Sequence, residues 1–188
     1  VNDVLRSAAE LQAFCLEQEW RFCFIGGLAL LRWGEPRETV DADLTVLTGF
    51  GNEGPFIDRL LARFPGRIPD AREFAVQNRV LLLRSADGVG LDISLGGLPY
   101  EERVVHRSSL FAYSDQVALQ TCSAEDLIVL KAFAGRGQDW VDVERVIVRQ
   151  TGRLDWDSIH RELQPLAELK DAPEILDQLE QRRREFEM

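Results

Sequence analysis

Val40-Asp41-Ala42-Asp43-Leu44-Thr45-Val46 alternates without interruption: Val40, Ala42, Leu44 and Val46 fall on one face of an extended chain, and Asp41, Asp43 and Thr45 on the other. The run predicts a half-buried strand whose polar face carries two carboxylates about 7 Å apart at the backbone. Gly90-Leu91-Asp92-Ile93-Ser94-Leu95 repeats the pattern, with the apolar side chains on one face and Asp92 on the other. If the two strands are sheet neighbours, three carboxylates converge on one side of the sheet. Like charges about 4 Å apart repel by about 4 kcal/mol at an intermediate dielectric, so such a cluster calls for a cation or an arginine to neutralise it. A hard cation with oxygen ligands is the natural solution. Mg²⁺ takes one or two protein carboxylates and completes its shell with water and substrate phosphates, which implies a nucleotide or another polyphosphate.

Working outward, residues 3 to 18 place Val4, Leu5, Ala8, Leu11, Phe14 and Cys15 at helical spacing. Arg21 to Ile25 reads as a short strand that ends in Gly26-Gly27, and Leu28 to Trp33 as a short helix stopped by Gly34 and Pro36. Downstream of the Asp-x-Asp strand, a Gly-rich turn over 49–54 leads to a helix over Phe56 to Phe64 and a polar connection holding Pro65 and Pro69. Val80 to Arg84 and Val89 to Leu95 are strand-like and flank Ala86-Asp87-Gly88, a hairpin signal that accounts for Asp87. After Gly96-Gly97 comes a mixed segment with a strand near Val117 to Leu119. Helices are then predicted over 125–134, capped by Ser123, and over 139–149, 155–169 and 173–186. The expected fold class is α/β (α+β): a mixed sheet flanked by helices over residues 1–120, with a C-terminal helical region over 121–188 packed on it.

Composition narrows the function classes. With 188 residues, 45% of them hydrophobic, the chain suffices for one ordinary domain or one domain with a helical appendage. No stretch is long and apolar enough for a membrane span, and the N-terminus lacks the pattern of a signal peptide, so a soluble cytoplasmic protein without a membrane partner is expected. Cys15, Cys23 and Cys122 are odd in number and far apart, which fits buried thiols better than a disulfide framework. Neither His106 nor His160 has a cysteine or histidine at zinc-ligand spacing. A net charge of −10 argues against a broad electrostatic footprint for nucleic acid.

The Gly26-Gly27 turn supplies the other half of a site. A strand, a turn free of side chains and a helix N-terminus together present backbone N–H groups to an anion. The same arrangement serves close packing in many α/β proteins. The sequence lacks the Gly-Lys-Ser/Thr ending of a P-loop and the full Gly-x-Gly-x-x-Gly spacing of a dinucleotide fold.

Phe24-Ile25-Gly26-Gly27-Leu28-Ala29-Leu30, Pro36-Arg37-Glu38-Thr39 and Asp41-Ala42-Asp43-Leu44 together resemble the core motif of the polymerase-β-like nucleotidyltransferases. The Arg and Thr before the Asp pair resemble the abortive-infection (AbiEii-like) nucleotidyltransferase toxins. Ser123 to Lys131, with Arg136, Asp139 and Asp142, is similar to the helical segment that follows the catalytic sheet in that group. The resemblance covers residues 20 to 148. It implies the nucleotidyltransferase fold, NTP as substrate and Mg²⁺ or Mn²⁺ as cofactor. It further implies that Gly26 and Gly27 line the triphosphate, that Asp41 and Asp43 ligate the metal, and that Asp92 is the third carboxylate, holding the metal with them and helping to activate the attacking hydroxyl. Lys131 matches a phosphate-facing lysine, its alternative being a solvated helix residue. Arg37 and Thr39 lead into the Asp pair, where Arg37 either steadies phosphates or holds the turn. Asp139 and Asp142 are otherwise N-cap and first-turn residues of the next helix.

The function so implied is transfer of a nucleoside monophosphate from an NTP to an acceptor hydroxyl, on RNA (a tRNA 3′ end) or protein, with a cognate antitoxin as partner. Two alternatives stand beside it: a non-catalytic nucleotide- or partner-binding module of the same fold, and a small-molecule nucleotidyltransferase of the antibiotic-modifying type. The presence of all three carboxylates favours an enzyme.

Overall fold

The computed structural model describes residues 3–36 and 38–187. The chain divides into two compact units, one of Val1–Leu28 with Glu38–Cys122 and one of Ala29–Arg37 with Ser123–Met188.

Among the described residues, the first unit holds one six-stranded sheet in the order β3-β4-β2-β1-β6-β5. The strands are β1 (Phe22–Phe24), β2 (Asp41–Leu47), β3 (Val80–Arg84), β4 (Gly90–Gly96), β5 (Ser109–Ala112) and β6 (Ala118–Thr121). The Asp-x-Asp strand β2 lies at its centre, antiparallel to β1 and parallel to β4, so the two carboxylate strands are sheet neighbours, the condition on which convergence of the three carboxylates depends. Alternation decides the faces: Ala42, Leu44 and Val46 of β2 and Leu91, Ile93 and Leu95 of β4 are buried, while Asp41, Asp43 and Asp92 are only partly covered. Val40 breaks the expected pattern, being 64% exposed. The ladder with β4 starts at Asp41 opposite Gly90, and Val89 is engaged in the Ser85–Val89 turn, so Val40 has no opposing residue.

β1 is only three residues long and meets β6 at the single pair Phe24–Thr121. Helix α1 (Asp3–Glu17) makes good the shortfall through Gln12, whose amide accepts from Gln120 N and donates to Ala118 O, both at 2.8 Å. The side-chain amide thereby satisfies two backbone groups of β6 that a longer β1 would have paired. Leu11 and Cys15 of α1 are fully buried, and burial pushes the Cys15 thiol up to about 12. All three cysteines are buried thiols outside any disulfide. The folded protein is therefore expected to resist Ellman's reagent at pH 8 and to titrate its thiols only after denaturation; fast reaction of Cys15 in the native state would contradict the packing of α1.

The remaining helices of this unit differ from expectation in instructive ways. α2 (Gly26–Trp33) begins at the glycine pair itself, and the unit boundary falls within it after Leu28. α3 (Glu53–Arg63) starts before Phe56 because Pro55 is tolerated in a first helical turn. The connection after Pro69 contains α4 (Ala71–Asn78), bounded by left-handed residues at Asp70 and Arg79. Only Ala71 and Ala75 of α4 are buried, so no apolar stripe announced it. α5 (Pro99–Arg107) opens with Pro99, and the Glu101 carboxylate accepts the Gly97 and Leu98 N–H groups at 2.8 Å each. β5 is exposed at all four residues and offers no alternation to read.

The second unit is helical. α6 (Ala124–Ala134) is capped by Ser123, whose side chain accepts from Asp126 N, and ends at the left-handed Gly135. It packs against α7 (Gly137–Arg149), α8 (Trp156–Leu169) and α9 (Glu174–Phe186). Its core includes Leu30, Leu127, Ile128, Val143, Ile147, Ile159, Leu163 and Leu179, each 0% exposed. No helix among the described residues is long and apolar enough to cross a membrane.

Candidate active site

Parallel pairing sets Asp43 of β2 directly opposite Asp92 of β4, and neighbouring strands in a sheet stand about 4.8 Å apart. Asp41, two residues earlier on the same face, lies opposite Gly90 rather than another side chain. The absent side chain matters: a Cβ at Gly90 would overlap both Asp41 Oδ1 and Arg67 Nη1. The Asp41 carboxylate and a guanidinium therefore meet in the space that Gly90 leaves.

That guanidinium was not anticipated. Arg67 lies in the Pro65–Pro69 connection, and Nη2 stands 2.7 Å from Asp92 Oδ1 while Nη1 stands 3.5 Å from Asp41 Oδ1. Its backbone is tied to the sheet edge by Arg67 N to Leu82 O and Arg84 N to Pro65 O, both 2.9 Å, with a bridge between Gly66 and Leu83. The alternative of neutralisation by an arginine is thus realised, from a segment whose sequence shows no periodicity. Asp92 Oδ1 is thus a buried oxygen in ion-pair contact with Arg67. Burial pushes the Asp92 carboxyl above the ordinary carboxylate range; Arg67 pulls it back, and Asp41 adds a smaller upward push.

The glycine turn closes on the same carboxylates. Gly26 has φ +56°, and a Cβ there would stand 2.7 Å from Asp43 Cγ. Both facts demand glycine. Gly27 N points at Asp43 Oδ2 at a long 3.4 Å, and Ile25 N donates to Asp43 O at 2.9 Å. A Cβ at Gly27 would come within 2.9 Å of Thr39 Cβ, and the Thr39 hydroxyl donates to Asp41 O at 3.2 Å. The close approach that requires the two glycines is thus first of all an approach to Asp43 and Thr39.

Asp41, Asp43, Asp92, Gly26, Gly27 and Thr39 are gathered in one unit. Arg37 lies outside the described residues. Lys131 is in the second unit and is 8% exposed, which rules out the solvated-helix reading. Its ammonium donates to Asp139 Oδ1 and Asp142 Oδ2, both at 2.9 Å, and so is taken up by two buried carboxylates. Asp139 keeps the first-turn role in α7, accepting from Arg136 N at 3.3 Å, whereas Asp142 lies beyond the first turn. Trp33, at the end of α2, is partly covered and carries the Arg32 guanidinium 4.0 Å over its ring. Among the described residues no three or more His, Cys, Asp or Glu side chains are grouped to hold a metal ion by themselves.

A family model described as the nucleotidyl transferase AbiEii toxin of type IV toxin–antitoxin systems matches residues 11–186, so the chain belongs to the AbiEii nucleotidyltransferase family. It is by that membership a nucleotidyltransferase. The crystal structure of an antigenic nucleotidyltransferase-like protein from Paracoccidioides brasiliensis superposes with a TM-score of 0.54 at 14% identity, covering 95% of this chain and 92% of that one, and shares the fold. The solution structure of the antibiotic-resistance factor ANT(2'')-Ia aligns at a TM-score of 0.49 and 16% identity over 97% of this chain and 90% of that one, too distant to carry an argument. No curated protein sequence matches the chain.

Proposed function

We propose that this nucleotidyltransferase is a cytoplasmic toxin that moves a nucleoside monophosphate from an NTP to an acceptor hydroxyl on RNA, such as a tRNA 3′ end, or on protein, and that a cognate antitoxin restrains it. The observation that carries the reading is the register of β2 and β4, with Asp43 opposite Asp92 and Asp41 on the same face.

The donor set fits a divalent cation of the Mg²⁺ or Mn²⁺ type. Every donor is a carboxylate oxygen, and Asp41 and Asp43 leave one face of β2 with Asp43 opposite Asp92, a partial all-oxygen shell of the kind that water and phosphate would complete. Asp41 and Asp43 would hold the cation, with Asp92 at the adjoining corner. Bound there, it would supply charge stabilisation to the attacking and leaving oxygens of phosphoryl transfer. Asp92 accepts the proton of the acceptor hydroxyl, for which its partly buried carboxylate is suited. The Gly26-Gly27 turn admits the triphosphate beside Asp43 because no side chain projects from it. Thr39 steadies the backbone at Asp41 through its hydroxyl.

The deciding experiment incubates the purified protein with each α-labelled NTP and Mg²⁺ or Mn²⁺ in the presence of tRNA, total protein or candidate small acceptors. Label on RNA or protein, with pyrophosphate released, is expected. Label on small acceptors alone would make the protein a small-molecule enzyme, and no transfer to any pool would overturn the proposal.

A further inference from the structure

We propose that Arg67 is a resident counter-ion that holds Asp92 in position and competes with the divalent cation for Asp41. The inference rests on the metal-site reading of Asp41, Asp43 and Asp92.

The two arms of the guanidinium are unequally engaged. Nη2 is at ion-pair contact with Asp92, 2.7 Å, while Nη1 is only at the margin of contact with Asp41, 3.5 Å. A planar fork can span two carboxylates on adjacent strands in a way an ammonium cannot. The fork is delivered by a fixed backbone, since the 65–67 segment is hydrogen-bonded along the edge of β3 and flanked by Pro65 and Pro69. The meeting place is built as well, because any Cβ at residue 90 would occupy the position of Arg67 Nη1 and Asp41 Oδ1.

Charge gives the arrangement its consequence. Arg67 carries its positive charge to the place where Asp41 and Asp92 approach each other. Without the cation, Arg67 offsets the repulsion between Asp41 and Asp92. When the cation enters, it takes Asp41 from the loosely held Nη1, and the tighter contact at Nη2 keeps Asp92 aligned. Arg67 is thus a positioning residue that sets how much divalent cation is needed to load the site.

The test is Mn²⁺ binding to the metal-free protein without nucleotide, followed by electron paramagnetic resonance, for the wild type, R67Q, R67K and D41N/D43N. R67Q is expected to bind Mn²⁺ about tenfold more tightly than wild type, a difference of 1.4 kcal/mol, because a positive charge beside Asp41 is gone. R67K, which keeps the charge, should stay near wild type in Mn²⁺ affinity yet lose turnover, since an ammonium cannot hold Asp92 while leaving Asp41. Equal or weaker Mn²⁺ binding by R67Q, with wild-type binding abolished in D41N/D43N, would overturn the role of Arg67 and leave the metal site standing. Absence of Mn²⁺ binding in wild type and R67Q alike, with and without NTP, would instead remove the metal site itself. If R67Q does not fold, the wild type still decides: with ¹⁵N-labelled arginine, the Arg67 Nε–H resonance must move on Mg²⁺ addition, and a resonance that stays in place overturns the proposal.

Discussion

Replacing Asp43 by asparagine is expected to lower nucleotidyl transfer by at least about a thousandfold, roughly 4 kcal/mol of transition-state stabilisation, while leaving the fold intact. The substitution is isosteric, so the Ile25 N–H still reaches the residue 43 carbonyl and a side-chain oxygen can still face Gly27 N. What disappears is one unit of negative charge on a strand position opposite Asp92. A neutral amide oxygen is a poor substitute for a carboxylate against a hard cation. Stability should change little, because the substitution keeps the shape of a side chain that is only partly covered. The measurement pairs label transfer with thermal unfolding, and Asp87→Asn serves as control: that carboxylate sits in the β3–β4 turn and is engaged by the exposed Arg6. In cells, overexpression of the wild type should slow growth and D43N should relieve it. Transfer by D43N within tenfold of wild type would detach the chemistry from the β2 carboxylates.

Why Asp41, Asp43 and Asp92 were legible and Arg67 was not follows from how each is specified. The carboxylates sit on strands with one buried face, where a period of two fixes which side chains turn away from the core. Alternation leaves the pairing and its offset open, and it is the structure that sets β2 beside β4 with Asp43 opposite Asp92. Arg67 is specified by tertiary contacts alone, 26 residues from Asp41 and in a connection with neither period. The only sequence signal for it was electrostatic, namely that a carboxylate cluster needs a counter-charge, and that argument gives the sign of the residue without its position. α4 and β5 escaped for a related reason, since one buries only alanines and the other buries nothing. Lys131 did leave a trace. Ala124-Glu125-Asp126-Leu127-Ile128-Val129-Leu130-Lys131-Ala132-Phe133-Ala134 is apolar nearly all round, and a lysine in such a helix is buried, hence paired.

Lys131→Met is expected to destabilise the protein by about 3–5 kcal/mol, the usual result of breaking a buried ion pair from one side. The lysine stands between Asp139 and Asp142, which are 2% and 0% exposed at their side chains. Losing it takes a buried cation from both. Asp139 retains Arg136, whose Nε donates at 2.6 Å, and Asp142 retains Gln138 at 3.1 Å and the more distant Arg145 at 3.7 Å. Adding Asp142→Leu to Lys131→Met removes one of the two buried carboxylates together with the lysine and should recover part of the loss. Urea unfolding followed through Trp140 and Trp156, both buried in the second unit, measures the coupling between the two substitutions. Acid provides an independent check. Burial alone would raise the Asp139 carboxyl, but hydrogen bonds from Arg136 and Lys131 outweigh it and hold it below its ordinary value of 3.8. A carboxylate depressed in the folded state contributes stability that is fully present above its unfolded value and is lost as pH falls through the folded one. Stability should therefore decline below about pH 4, and less steeply in Asp139→Asn. A Lys131→Met protein of unchanged stability that had lost transfer would reverse the assignment and return Lys131 to the phosphate-facing role that its sequence position implies.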